Sequence, residues 1–404
     1  MNEKKIHVAY VVNSILIAGA EMTVFETAAH LDRERFSPTV YALSDYGNAR
    51  SSLASRFQEA QIPLVFLDAG KKVGIISAIR MLRTQFHVSR PDILHCHLPD
   101  AVIAGGIAAA SMHIPFIIHE DQTQRFHSWK IRLMYRLLRP FSALTVCYAD
   151  SIEEDIFGVA HVLDAQPEKI EYRSCTISNG IDVARVEDVT LSVDRHQKRR
   201  ELGWTDTDIV IVSTARFIEW KGHRQLVEAF ASVVEKVPNA RLFIAGGGAI
   251  HQELCDRVSE LGLTERVQLP GVRTDIYEIL TVADIFSLAF IYGKGREAEA
   301  IGIAGFEAMA CGLPIVVSDY AGALQHTENG KNGIIVRRDD KEALSAALTR
   351  LAGDATLRQQ MGESAHHYAL RHLDWRTIVP IYERIYSLLS INEGGDHSEP
   401  RESL

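Results

Sequence analysis

The same rhythm runs through the chain twice, and that repetition limits the fold more than any single residue does. Short Val-, Ile- and Leu-rich runs at Ile6–Asn13, Ser37–Leu43, Pro63–Leu67, Asp92–His95, Phe116–His119 and Ala143–Tyr148 alternate with amphipathic stretches such as Ala20–Leu31 and Ile75–Phe86. Such alternation predicts a parallel sheet with helices on both faces, because each parallel crossover needs a helix. A second series follows at Ile209–Thr214, Arg241–Gly246, Val267–Leu269, Ile285–Leu288, Ile315–Ser318 and Gly333–Val336. Its helical stretches are Gly222–Lys236, Ala249–Leu261, Asp275–Val282, Gly305–Cys311 and Lys341–Ala352. With 404 residues the chain suits two domains. The expectation is one Rossmann-like domain over 1–190, a second over 191–372, a helix over 373–391 packing back on the first, and a disordered tail over 392–404. The polar stretch Asp164–Arg200, ending in the basic run His196–Arg200, reads as the linker. Doubly wound sheets bind ligands at the carboxyl ends of their strands, so the two are expected to face each other across a ligand cleft.

Composition narrows the function. A formal net charge of −9 disfavours general nucleic-acid binding, which needs a basic face. Cys96, Cys147, Cys175, Cys255 and Cys311 form no C-x-x-C pair and read as buried thiols of a reducing compartment. The start, MNEKKIHVAYVVNSIL, shows no A-x-A cleavage signal, so no secretory peptide is expected. Ala101–Ile118 contains Gly105, Gly106, His113 and Pro115, and suits a buried helix and strand better than a membrane span. These features point to a cytoplasmic protein.

The richest chemistry lies in Glu297–Asp319, EAEAIGIAGFEAMACGLPIVVSD. Seven residues separate Glu299 from Glu307, and Gly302-Ile303-Ala304-Gly305 opens a helix that closes at Cys311-Gly312. Small residues at a helix start expose backbone N–H groups at the positive end of the dipole, which suits a diphosphate. Glu299 precedes the helix and can face a ligand; Glu307 can accept hydrogen bonds from a diol such as ribose. Two glutamates alone are more often solvated or structural. The whole segment, however, closely resembles the signature of the family-4 retaining glycosyltransferases of the GT-B fold, in which two glutamates seven residues apart precede AMACG-x-P. The resemblance implies that Glu307 holds the nucleotide ribose and Glu299 contacts the donor sugar. It also implies that the backbone of Ile303 and Ala304, after Gly302, meets the phosphates.

Ser213–Gly222, STARFIEWKG, places Arg216 and Lys221 after a strand, where two cations can clamp a leaving diphosphate. Alone they would usually be surface charges. The segment resembles the family's GR-x-x-x-x-KG, with Ala215 in place of the first glycine. Leu242–Gly248 brings Gly246 and Gly247 to a strand end, and a Gly-rich run is by itself more often a tight turn. It resembles the family's iaG-x-G. Leu269–Arg273, with Pro270, Val272 and Arg273, resembles the loop whose backbone reads the base, and Ile177–Asp182 resembles the NGID of the domain junction.

The first half carries weaker signals. Gly19-Ala20-Glu21 follows the first strand as the family's GGAE does, and is expected over the phosphates or acceptor. His119 matches a histidine near the donor sugar, although a lone strand-end histidine is more often structural. His95 and His97 alternate on a strand, too few on one face for a metal site, so no metal is expected. Asp206-Thr207-Asp208 mimics a D-x-D metal motif but reads as a turn. Gln325 stands where the family usually has a glutamate, which puts one donor or domain contact in doubt. Residues 125–139, RFHSWKIRLMYRLLR, form a basic amphipathic helix suited to anionic lipid or to a lipid-linked acceptor. A solvated crossover helix accounts for them equally well.

The resemblance implies a retaining, metal- and cofactor-independent transfer from a nucleoside-diphosphate sugar to a hydroxyl acceptor; no nucleic-acid partner is expected. Uridine diphosphate is the leading base on family frequency, with a lipid-linked or cell-surface glycan precursor as acceptor. The expected location is cytoplasmic, including the inner membrane face. A sugar-nucleotide epimerase or phosphorylase of the same fold, or a catalytically silent sugar-nucleotide-binding subunit, remain open alternatives.

Overall fold

The computed structural model describes residues 4–16, 19–44, 53–67, 74–120, 128–291 and 302–391. The chain divides into two compact units, one running to Ser178 and resuming at Trp375, the other spanning Asn179–Asp374.

The first unit contains β1 (Ile6–Val12), α1 (Gly19–His30), β2 (Phe36–Ala42), α2 (Ala54–Glu59), β3 (Leu64–Phe66), α3 (Ile75–Val88) and β4 (Ile93–His97). It continues with α4 (Pro99–Ser111), β5 (Phe116–Glu120), α5 (Trp129–Leu138), β6 (Leu144–Cys147), α6 (Asp150–Phe157) and β7 (Ser174–Thr176). Its seven strands are parallel, in the order β3-β2-β1-β4-β5-β6-β7.

The second unit contains α7 (Val183–Ser192), α8 (Arg195–Glu201), β8 (Ile209–Thr214), α9 (His223–Lys236), β9 (Ala240–Ala245), α10 (His251–Glu260), β10 (Val267–Gly271), α11 (Ile276–Val282) and β11 (Ile285–Leu288). Then come α12 (Ile303–Ala310), β12 (Ile315–Ser318), α13 (Ala321–His326), β13 (Gly333–Val336), α14 (Lys341–Gly353) and α15 (Ala355–His372). The order β10-β9-β8-β11-β12-β13 is again all parallel. In both sheets the winding reverses beside the first strand, between β1 and β4 and between β8 and β11. Open α/β sheets bind ligands at such switch points. The α/β, doubly wound expectation is borne out.

The terminal helix α16 (Trp375–Ile391) returns to the first unit, where Trp375, Ile378, Tyr382, Ile385 and Tyr386 join the core under β1 and α1. Residues 392–404, expected to be disordered, lie outside the described residues.

The linker expected over Asp164–Arg200 is corrected: it holds β7, α7 and most of α8. The unit boundary falls at Ser178 instead of after residue 190, because Ile181 donates its N–H to the Leu373 carbonyl and α7 packs on α11 and α12. Asp182 and Asp194 cap α7 and α8, accepting from the N–H groups of Arg185 and Gln197 at 3.0 and 2.9 Å. Arg199, in the run read as a basic linker end, is buried. Its guanidinium donates to the carbonyls of Thr205, Asp208 and Val282 and reaches Asp284 at 3.2 Å. That network ties α8 to the sheet.

Cys96, Cys147 and Cys175 are buried free thiols as expected, whereas Cys255 and Cys311 are partly exposed. Ala101–Ile118 divides into buried α4 and the start of β5. Among the described residues no helix is long and apolar enough to cross a membrane.

Candidate active site

In the second unit, the loops after β8, β9 and β10 meet at the carboxyl edge of the sheet. Backbone bonds join them: Phe217 N–H to the Gly247 carbonyl at 2.8 Å, and Gly246 N–H to the Gly271 carbonyl at 2.9 Å. Such close approach excludes side chains. A Cβ on Gly246, at φ +155°, would lie 1.9 Å from the Ala215 carbonyl oxygen. The glycine-rich run is therefore a packing necessity at this edge.

These loops enclose a cavity of about 270 Å³ lined by Thr214, Ala215, Arg216, Ala245, Gly246, Gly247, Val272, Arg273 and Ile276. Arg216 is exposed and makes no ion pair among the described residues. Arg273 is already committed: Asp275 accepts from its Nε and NH2 at 2.8 and 2.6 Å, and from Lys198 at 2.8 Å. These donors hold the Asp275 carboxyl well below the usual carboxylate range. The free positive charge at this cavity is thus Arg216. Pro270 is exposed and does not line it.

Lys221 is only 7% exposed, and its ammonium lies 4.4 Å from the centre of the Phe290 ring. Phe290 packs on Tyr320 with ring centres 4.5 Å apart. The Tyr320 hydroxyl would stand 2.5 Å from a Cβ on Gly302, the N-cap residue of α12. Packing therefore links Lys221 to the helix start where Ile303 and Ala304 are half-buried. Gly222, next to Lys221, must be glycine: at φ +67° its Cβ would fall 1.7 Å from the Ala289 carbonyl oxygen. His223 completes the loop, its Nε2 at 3.2 Å from the Arg216 carbonyl, and burial pushes its imidazole down to about 4.

Glu307 lies on α12, half-buried, and accepts from the Tyr277 hydroxyl at 3.1 Å. Desolvation pushes its carboxyl up to about 7, against the pull of Tyr277 and the charge of Arg185. Arg185 sits over the Tyr277 ring, 5.4 Å from its centre. Tyr277, which holds the carboxylate, directly follows the cavity-lining Ile276 in the chain. Glu299 lies outside the described residues.

A larger concavity of about 700 Å³ in the same unit is lined by Glu219, Glu228, Glu253, Asp339 and Glu342 against Arg224 and Lys341. Its excess of carboxylates repels a diphosphate, so size does not mark the site here. Asp206 and Asp208 are turn residues: Asp208 accepts from the Thr205 N–H at 2.7 Å and pairs with Arg241, and Asp206 pairs with His196.

In the first unit, His119 lies on β5 opposite His97 of β4. It is buried and hydrogen-bonded through Nδ1 to His95 Nε2 at 3.1 Å. His95 Nδ1 meets the Tyr386 hydroxyl at 2.8 Å, and Tyr386 meets the Tyr10 hydroxyl at 3.1 Å. Burial pushes the imidazoles of His95, His97 and His119 well down, so all three are neutral. The sequence allowed two histidines on this face, and the neighbouring strand supplies the third. Their ring nitrogens lie within 4.8 Å of one another, the only such group of metal-capable side chains among the described residues. His119, however, stacks on His97 at 25° and on His95 at 19°. The mutual hydrogen bond already commits His95 Nε2 and His119 Nδ1, and His95 Nδ1 is taken by Tyr386. Gly19 begins α1 and is exposed, Ala20 is half-buried, and Glu21 accepts from Ser14 at 3.2 Å.

Tyr277, Arg185, Phe290, Tyr320, Tyr10 and Tyr386 are absent from the sequence-based site. No motif marks them, and only the helical periodicity around Tyr382 and Tyr386 hinted at a buried face.

Two family profiles match the chain: glycosyl transferases group 1 over residues 194–368 and glycosyltransferase family 4 over residues 17–185. The GDP-mannose-dependent monoacylated alpha-(1-6)-phosphatidylinositol monomannoside mannosyltransferase of Corynebacterium glutamicum is 31% identical over 56% of each chain. The UDP-Gal:alpha-D-GlcNAc-diphosphoundecaprenol alpha-1,3-galactosyltransferase of Escherichia coli is 25% identical over 87% of this chain and 89% of its own. The solved structure of Anabaena HepE in complex with UDP-glucose superimposes with a TM-score of 0.75 at 20% identity, covering 95% of this chain and 99% of that one. Matched along both halves and in fold, the chain belongs to the family-4 glycosyltransferases of the GT-B fold.

Proposed function

We propose that the chain transfers a sugar from a uridine diphosphate donor to a hydroxyl acceptor, with retention at the anomeric carbon and without a metal ion. The observation that carries this reading is the cavity at the β8–β10 edge, where uncommitted Arg216 meets bare backbone at Gly246 and Gly247. In this reading the diphosphate lies between Arg216 and the start of α12, with Lys221 supplying the second cation. The base rests on the backbone of Val272 and Arg273. The ribose diol donates to Glu307, whose carboxylate Tyr277 already orients. Glu299 and His119 are the residues this reading assigns to the sugar. His119 Nε2 has no hydrogen-bond partner among the described residues, but it is buried, so contact with a sugar requires neighbouring side chains to move.

As the anomeric bond breaks, negative charge grows on the leaving diphosphate, and Arg216, Lys221 and the helix dipole stabilise it in place of a divalent ion. The acceptor hydroxyl attacks from the same face and gives its proton to the departing phosphate. Uridine is favoured because two of the likenesses that cover most of the chain carry it in their names, whereas the guanosine-named relative matches 56% of the chain. A lipid-linked acceptor follows the same E. coli relative.

Calorimetric titration with UDP, GDP and ADP and their sugars, followed by NMR of the transferred product with and without EDTA, tests each part. UDP binding and an axial-to-axial product in EDTA support the reading. GDP preference overturns the base, an inverted anomer overturns the mechanism, and binding of none overturns the site.

A further inference from the structure

The buried hydrogen bonds of the first unit run in one direction, which follows from counting their protons. Tyr386 of α16 has one hydroxyl hydrogen and two partners, His95 Nδ1 at 2.8 Å and the Tyr10 hydroxyl at 3.1 Å. A phenol oxygen is a much weaker base than an imidazole nitrogen, so Tyr386 donates to His95 and accepts from Tyr10. Burial holds both imidazoles neutral, so each carries a single N–H. Because His95 Nδ1 accepts, its hydrogen lies on Nε2, which donates to His119 Nδ1 at 3.1 Å. The hydrogen of His119 is thereby left on Nε2.

That last N–H has no partner among the described residues, although His119 is only 1% exposed. A buried donor without an acceptor is costly, and the other three nitrogens of His95 and His119 are all paired. Neighbouring rings keep the two imidazoles from turning over. The Tyr382 ring centre lies 5.7 Å from that of His95, and the Tyr148 ring centre 4.3 Å from that of His119. The orphan donor is therefore held in place by a row of contacts that begins on the returning helix.

We propose that Tyr386 is a positioning residue, acting through His95 to hold His119 as an Nε2–H donor for an oxygen atom of the transferred sugar. The sugar contact rests on the function proposed above; the tautomer does not. This direction excludes His119 as a general base, because its Nε2 has no lone pair to take a proton. It also fits a transfer in which the departing phosphate accepts the proton of the attacking hydroxyl.

Long-range proton–nitrogen NMR of the ligand-free full chain, isotope-labelled at histidine, reads the tautomers once single substitutions assign the two rings. His95 and His119 should both carry their hydrogen on Nε2. In Tyr386→Phe both should sample the opposite tautomer, which draws the two nitrogen signals of His119 together. Tyr10→Phe removes the neighbouring hydroxyl but leaves the donor to His95, and should keep the parent pattern. A hydrogen on His119 Nδ1, or a His119 tautomer indifferent to Tyr386→Phe, overturns the proposal. Calorimetric titration with UDP and with UDP-glucose then reads the sugar contact. His95→Leu should weaken UDP-glucose binding about tenfold, the effect of one lost hydrogen bond, and leave UDP binding unchanged. His95→Gln, whose amide can accept from Tyr386 and donate to His119, should restore the affinity for UDP-glucose. Equal loss for both ligands, or no rescue by glutamine, overturns the positioning role and leaves His95 structural. Failure of UDP to bind the parent protein overturns the proposed function instead, while the ligand-free spectra still decide the direction of the row.

Discussion

The two sheets reverse their winding at corresponding points, yet the residues at the two reversals differ in charge. At the edge of the second unit, Arg216 stands free, Lys221 is held on an aromatic ring, and glycines bare the backbone around a cavity. At the edge of the first, buried neutral imidazoles and tyrosines hydrogen-bond in a row from Tyr10 through Tyr386 and His95 to His119. One topology thus supports an edge built for an anion and an edge built to hold an uncharged ring in place. The difference lies in the loop residues, which is where α/β folds carry function.

The largest effect should come from backbone geometry. Gly222→Ala places a Cβ 1.7 Å from a carbonyl oxygen, and should cost about 4 kcal/mol or more by denaturant titration. Gly158→Ala in the first unit is the control: its φ is +78°, nothing lies within 4 Å, and the cost should be about 1–2 kcal/mol. Equal losses would show that the second edge has no special packing demand. Next in size is the charge itself. Arg216→Ala should lower kcat at least about a hundredfold, roughly 3 kcal/mol, with little change in melting temperature because the side chain is exposed. A stable, fully active Arg216→Ala protein would show that this edge is not built for an anion.

Most of the scaffold was legible because its strands are apolar on both faces. The bounds of β8, β11, β12 and β13 match the Val- and Ile-rich runs read from sequence. What escaped was short or polar. Strand β7 is Ser-Cys-Thr, with no hydrophobic signal; α7 buries only Val183 and Val186 behind its Asp182 cap, and α8 is held by Asp194 and buried Arg199. At the site the cations and glycines were readable because they cluster in short segments. Tyr386 was not, since it meets His95 across 291 positions. Phe290, Tyr320 and Tyr277 likewise act through contacts that only folding creates.

Acid should separate the two edges by different readouts. The imidazoles of the first unit are held well below 6.5, so unfolding takes up protons at low pH. Their contribution to stability is present above about pH 6.5 and is lost as pH falls below it, by up to about 1.4 kcal/mol per pH unit for each ring. Tyr386→Phe removes the partner of His95 Nδ1 and should cost about 2 kcal/mol, measured by urea titration at neutral pH. A stability curve flat through that acid range would show the imidazoles to be solvated.

The smallest effect concerns affinity at the second edge. Glu307 titrates at about 7 in the free protein. A ribose diol donates to the ionised carboxylate, and protonation replaces one acceptor with a competing O–H. Affinity for UDP should therefore be full above about pH 8 and fall roughly tenfold by about pH 6, where only a tenth of the carboxyl is ionised. Glu307→Gln should bind more weakly at high pH and lose this dependence. Tyr277→Phe removes a hydrogen bond that favours the carboxylate, so the fall in affinity should begin at higher pH. Titration calorimetry across this range reads all three proteins. A wild-type curve parallel to that of Glu307→Gln would place the ribose elsewhere and leave Tyr277 a purely structural partner.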